Sequence, residues 1–139
     1  MGGTRAQRIL SPGRRKMPRP RASQGGFTIE PIDLARLAHE ACVNTKATDI
    51  RLLDVTGLTI VADFFLIATA NSATHARAVG EAVREAIKEK TGRNPLGMEG
   101  LVEGWWVLLD FGDILVHVFQ EEARKFYALD ETWADAQVV

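Results

Sequence analysis

The sequence predicts a single α/β domain, a mixed β-sheet of about five strands with flanking helices. Three stretches predict it. FFLIATA (64–70) is apolar on both parities, as a strand covered on both faces must be. The segment after it carries Ala76, Val79, Val83, Ala86 and Ile87 at helical spacing, with Glu81, Glu85, Lys88 and Lys90 on the other side. Trp105–Phe111 and Asp113–Phe119 are apolar runs meeting at Gly112, the pattern of a hairpin. A strand–helix–strand unit demands a parallel crossover and a hairpin is antiparallel, so the sheet has to be mixed.

Order is expected to begin near Phe27. Pro31 suits the first turn of a helix, and Glu30 and Asp33 favour its positive end. Leu34, Leu37, Ala38 and Ala41 recur at helical spacing, so the helix runs over 31–45. DIRLLDV (49–55), bounded by Thr56-Gly57, reads as a strand. LTIVAD (58–63) is compatible with a connection or a short turn of helix. Asn71 and Ser72 are natural N-caps for a helix over 73–91 that Gly92 stops. RNPLGMEG (93–100) offers a short extended piece, and a last helical segment starts near Gln120 and carries Ala123, Phe126, Tyr127 and Leu129, with Trp133 beyond. The chain contains no internal repeat.

The net charge of −1 conceals an asymmetry. Residues 1–26 hold seven Arg or Lys and no acid, leaving ten bases against all 18 acids in 27–139. An acidic body is a poor footprint for phosphates, which call for a basic face. The extension 1–26, rich in Pro, Gly and Arg, lacks the apolar content to offset ordering and is expected to be disordered. It fits an N-terminal extension of a bacterial protein, an over-long start with Met17 as the true one, or a transit peptide, which lacks its usual amphipathic helix and Ser content here. It alone is suited to touch RNA. The single cysteine, Cys42, excludes an internal disulfide and a Cys-rich zinc site and reads as a small buried apolar residue. No apolar stretch approaches the roughly 20 residues of a membrane span. These features point to a soluble protein of a reducing compartment, with a bacterial cytoplasm preferred to an organelle.

If Phe111-Gly112 form a two-residue turn, Asp110 faces Asp113, Leu108 faces Leu115 and Trp106 faces His117. A longer turn with Gly112 as its left-handed residue slips that register. In the first register Trp105, Val107, Leu109, Ile114, Val116 and Val118 form an apolar face belonging to the core. The other face is semi-polar, and is either covered by a polar helix or offered to a partner. Catalysis finds little support there. Metal-dependent nucleotidyl transfer needs acids converging on two ions about 4 Å apart, whereas Asp110 and Asp113 flank a turn. No nucleophile elbow or Gly-rich phosphate loop is present, and His39, His75 and His117 fall on different elements. Asp110 and Asp113 read equally as turn residues bonding nearby N–H groups, His117 as a structural histidine, and Arg124 with Glu121–Glu122 as a solvated helix start. Trp106 is the residue to test, since tryptophan is favoured at interface hot spots.

The order of ATDIRLLDV, ADFFLIATANS, MEG and WWVLLDFGDILVHVFQEEARKFYALDETW closely resembles the ribosomal silencing factor family, RsfS, also called Iojap-like, over roughly 31–136. Its most specific signature, W-x-x-x-D-x-G-D-x-x-V-H-x-F then E-x-R-x-x-Y-x-L, falls on Trp106, Asp110, Gly112, Asp113, Val116, His117, Phe119, Glu122, Arg124, Tyr127 and Leu129. The resemblance implies a nucleotidyltransferase-like fold without the catalytic site. It implies binding to the large ribosomal subunit, chiefly to its protein numbered fourteen on the face that meets the small subunit. Occupying that face would block subunit joining and repress translation, with a further part in large-subunit maturation and room for a homodimer. The partner-binding candidates are then Trp106 as anchor, with Leu108, Asp110, Asp113, His117, Arg124 and Tyr127, and no catalytic residue, metal or cofactor is expected. A residual nucleotidyltransferase-type enzyme is the alternative. Two positions depart from the family pattern: Trp105, where a small or acidic residue is commoner, and Asp130, where Glu is.

Overall fold

The structure, a computed structural model, describes residues 29–139. The extension 1–26 and the expected onset of order at Phe27 lie outside them. The elements run α1 (Pro31–Asn44), β1 (Thr48–Asp54), β2 (Phe64–Ala70), α2 (Ala73–Thr91), β3 (Gly97–Glu99), β4 (Trp106–Asp110), β5 (Ile114–Gln120), α3 (Glu121–Tyr127), α4 (Leu129–Thr132) and β6 (Gln137–Val138). The strand order is β3-β4-β5-β2-β1-β6. β2 and β5 pair in parallel at the centre, and every other pair is antiparallel. The sheet is therefore mixed, with six strands rather than about five. The extra one, β6, is two residues that pair with Leu53 and Asp54.

Local chemistry sets the helix ends. The Ser72 hydroxyl accepts the His75 N–H at 3.0 Å, and Gly92 adopts φ 77° and donates its N–H to Lys88 O. Residues 58–63 form neither helix nor strand. There the Thr59 hydroxyl accepts the Val61 N–H, and the Asp63 N–H reaches Asp113 O.

Two cores sandwich the sheet. On one face α1 and α2 bring Leu34, Ala38, Val79, Val83 and Ile87 against Leu66, Val107, Leu109, Val116 and Val118. Full burial of each large aliphatic side chain contributes roughly 1.5–3 kcal/mol. A Cβ at Gly80 would sit 3.1 Å from Val107 Cγ1, so that glycine lets α2 settle closely on β4. On the other face α3, α4 and Trp133 cover Phe65, Leu108, Leu115 and Phe119. The semi-polar face of the hairpin is thus roofed by the C-terminal helices of its own chain.

The hairpin register differs from that of a two-residue turn. Trp106 lies opposite Phe119, Leu108 opposite His117 and Asp110 opposite Leu115. The reason is Phe111, which is buried (1% exposed) and keeps out of a positive-φ turn position. Gly112 takes that position at φ 90°, and the Phe111 N–H closes the longer turn on Ile114 O at 3.0 Å. Asp113 consequently leaves the ladder. The slip is two residues, so each remaining side chain keeps its face.

Candidate docking surface

The Phe119–Tyr127 region gathers the aromatic signature residues. From β4, Trp106 reaches across the ladder so that its indole Nε1–H donates to His117 Nδ1 at 3.2 Å. Its ring lies 4.9 Å from Phe119 and 4.7 Å from Tyr127, and Tyr127 in turn meets Phe126 edge-on at 5.0 Å. Trp106 and Tyr127 are half-buried, whereas Phe126 is 76% exposed. This gives a surface of aromatic edges from β4 and α3, and α3 also carries the exposed acids Glu121 and Glu122.

His117 and Leu108 lie beneath that surface, at 0% and 1% exposed. Both were expected as partner-binding residues, but in this chain they have no exposed area and pack in the core cluster against which Trp106 rests. Desolvation pushes the His117 imidazole down to about 3, only partly opposed by the Asp130 charge, so the ring is neutral. Its Nε2 is buried without a hydrogen-bond partner, and Phe65 meets the ring edge-on at 5.1 Å.

Arg124 is also interior (7% exposed), although its place near the start of α3 suggested a solvated side chain. Its guanidinium holds Asp130 through two parallel bonds of 2.9 and 3.0 Å and donates to Asp49 O at 2.6 Å and to the Thr69 hydroxyl at 2.8 Å. The Asp49 carbonyl is available because β1 is irregular between Thr48 and Arg51, with Asp49 at φ 46°. Burial raises the Asp130 carboxyl, but the Arg124 hydrogen bonds and charge, with the Arg51 charge, outweigh it and hold the group below the usual range. Arg124 thus clamps α3 and α4 to β1 and β2.

Asp110 and Asp113 sit at the far end of the hairpin, about 13 Å along β4 from Trp106 by strand rise. One Asp110 oxygen accepts the Gly112 N–H at 2.8 Å, and Asp113 pairs with Arg93 at 3.3 Å. The structure therefore brings Trp106, His117 and Tyr127 together with Leu108, and places the two acids elsewhere. Phe126 was missed as a surface residue, since α3 is too short for periodicity to reveal its faces. Its neighbour Tyr127 was the available signal. Trp105, expected on the core face, is instead 38% exposed because β4 begins only at Trp106, and it lines a crevice of about 330 Å³ with Lys46, Asn71, His75, Glu121 and Glu122, outside the carboxyl ends of β2 and β5. Among the described residues no group of His, Cys, Asp or Glu is arranged to hold a metal ion, and no helix is long and apolar enough to cross a membrane.

Comparison with known proteins assigns this architecture. The family model described as "Ribosomal silencing factor during starvation" matches residues 28–139. The ribosomal silencing factor RsfS of Bacillus subtilis is 39% identical over 103 residues, spanning 74% of this chain and 86% of that protein. The chloroplastic protein Iojap of Arabidopsis thaliana is 34% identical over 108 residues, spanning 78% of this chain and 43% of that longer protein. A crystal structure of a Chromobacterium violaceum protein superposes with a TM-score of 0.74 at 34% identity, covering 76% of this chain and 88% of the other. One from Bacillus halodurans gives 0.68 at 31%, covering 78% and 97%.

Proposed function

The chain belongs to the ribosomal silencing factor family, and we propose that it represses translation by docking on the large ribosomal subunit and excluding the small one. The observation that carries this reading is the family match across all of the described residues, signature residues included. Its partner is a basic protein of the intersubunit face, the large-subunit protein numbered fourteen. The acidic body supports that choice: ten bases against 18 acids in 27–139 favour association with a basic protein over direct binding to phosphates. Trp106 anchors the contact, Tyr127 and Phe126 flank it, and Leu108, His117 and Arg124 hold these in place. Asp110 and Asp113 shape the hairpin turn at the far end from Trp106.

The protein acts by occupancy rather than by chemistry. The scaffold is a nucleotidyltransferase-type fold without its catalytic acids, working in the bacterial cytoplasm and assisting large-subunit maturation, with RNA contact confined to the basic extension. Homodimerisation would compete with docking if it used the same aromatic edges. Co-sedimentation with purified large subunits, together with light scattering of subunit joining, tests the proposal. Binding with slowed joining supports it. Failure of the protein at micromolar concentration to pellet with large subunits or slow joining refutes it.

A further inference from the structure

Trp106 is half-exposed and therefore has a choice that a core tryptophan lacks. Its indole N–H needs an acceptor, and water outside the protein is one. Swinging out to water would expose the nitrogen edge and break the ring contacts with Phe119 and Tyr127. In the structure the N–H instead donates inward to His117 Nδ1 at 3.2 Å. A partner then meets an apolar ring edge backed by Tyr127, with the polar corner already satisfied.

We infer that His117 is a positioning residue of the docking surface, a buried neutral imidazole whose bare Nδ1 fixes the Trp106 indole in its binding pose. Three features of the surroundings support it. The register places His117 opposite Leu108, so the imidazole is the diagonal neighbour of Trp106 and lies within reach of its far edge. An indole N–H only donates, so Nδ1 must carry a lone pair, and the neutral ring must bear its proton on Nε2. That assignment also identifies the buried Nε2 without a hydrogen-bond partner: it is an N–H facing aromatic surroundings, left unpaired so that Nδ1 stays an acceptor. The ring is wedged between Phe65 at 5.1 Å and Phe119 at 6.2 Å, stacked at 8° on the latter, and these neighbours prevent it from turning. Burial, which keeps the imidazole unprotonated, removes one of the two ways in which the acceptor would become a donor, and the other, a shift to the Nδ1–H tautomer, would cost the Trp106 hydrogen bond.

This inference rests on Trp106 being a docking anchor, and the experiment separates the two ideas. In the full-length wild-type protein, nitrogen NMR of the histidine rings should show His117 as the Nε2–H tautomer, and the Trp106 indole N–H should exchange slowly with solvent. His117→Phe keeps an aromatic ring and removes the acceptor. It should shift the Trp106 indole resonance, speed its exchange and weaken large-subunit association about fivefold, the effect of one lost hydrogen bond. His117→Asn, whose amide oxygen can stand near the Nδ1 position, should restore slow indole exchange and recover binding. An Nδ1–H tautomer in the wild type, or an indole indifferent to His117→Phe, overturns the positioning role without any binding assay. If Trp106→Ala leaves ribosome association intact, the anchor assignment fails and with it the functional role of His117. If Trp106→Ala weakens association but His117→Phe does not, only the positioning inference falls.

Discussion

Acid should destabilise this protein through one histidine. Burial lowers the His117 imidazole from 6.5 to about 3, so the folded chain leaves it neutral where the unfolded chain protonates it. The unfolded state then binds more protons between these values, and stability falls as pH drops through that window. Each pH unit well inside it costs about 1.4 kcal/mol, so lowering the pH from 7 to 4 removes about 3 kcal/mol through this group. Replacing His117 by Phe deletes that dependence, and because it also removes a buried unpaired N–H, the variant should be no less stable than wild type in mild acid. Urea unfolding of both proteins at pH 7, 5.5 and 4 measures the difference, from which His39, His75 and the carboxylates cancel. The wild type should lose about 3 kcal/mol more than the variant across this range. Parallel pH profiles would refute the reasoning, because they would mean that the imidazole is hydrated or charged in the fold.

Three further outcomes follow from other contacts. Arg124→Met should cost roughly 3 kcal/mol in thermal or chemical unfolding, since Asp130 loses its bidentate partner and the Asp49 carbonyl its donor. Asp130→Asn should lower stability at pH 7 but flatten its loss in acid, because the depressed carboxyl stabilises the fold only while ionised. Gly100→Ala should lower the melting temperature by an amount equivalent to at least about 2 kcal/mol, because the residue has φ 80° and its Cβ would collide with the Trp106 carbonyl.

The sequence disclosed what depends on periodicity and short-range chemistry. The stripe from Ala76 to Ile87 placed α2, and the doubly apolar 64–70 placed the central strand. Glycine at 92 marked the helix end correctly. What stayed hidden depends on long-range partners. β6 exists because Leu53 and Asp54 have a free edge to pair with, and two residues carry no pattern of their own. Arg124 seemed solvated because its acceptors, Asp49 and Thr69, are 75 and 55 residues away along the chain. The hairpin register turned on whether Phe111 would enter a turn or the core, a matter of burial that local turn chemistry left open. The candidate site was visible only as a set of residues, and the division between surface and support required the roof formed by α3 and α4.

That division changes what a partner can recognise. The signature is rich in polar residues, yet most of them are consumed internally: Asp110 by the turn, Asp113 by Arg93, His117 by Trp106 and Arg124 by Asp130. Aromatic edges remain at the surface, and α3 also exposes the carboxylates of Glu121 and Glu122. On the proposed docking mode these two kinds of group act at different stages. Carboxylates act at a distance and are screened by salt within about 8–10 Å, so they govern encounter with a basic partner. Trp106 acts only after contact, by excluding water, so it governs departure. Surface-captured large subunits with the protein in solution would resolve both rates. Glu121→Gln with Glu122→Gln should slow association and weaken its salt dependence while leaving dissociation nearly unchanged. Trp106→Ala should speed dissociation about tenfold or more, as truncating a central aromatic anchor does, with association almost unaltered. If Trp106→Ala instead slowed association at unchanged dissociation, the indole would be guiding encounter rather than holding the complex, and the aromatic surface would lose its role as the anchor.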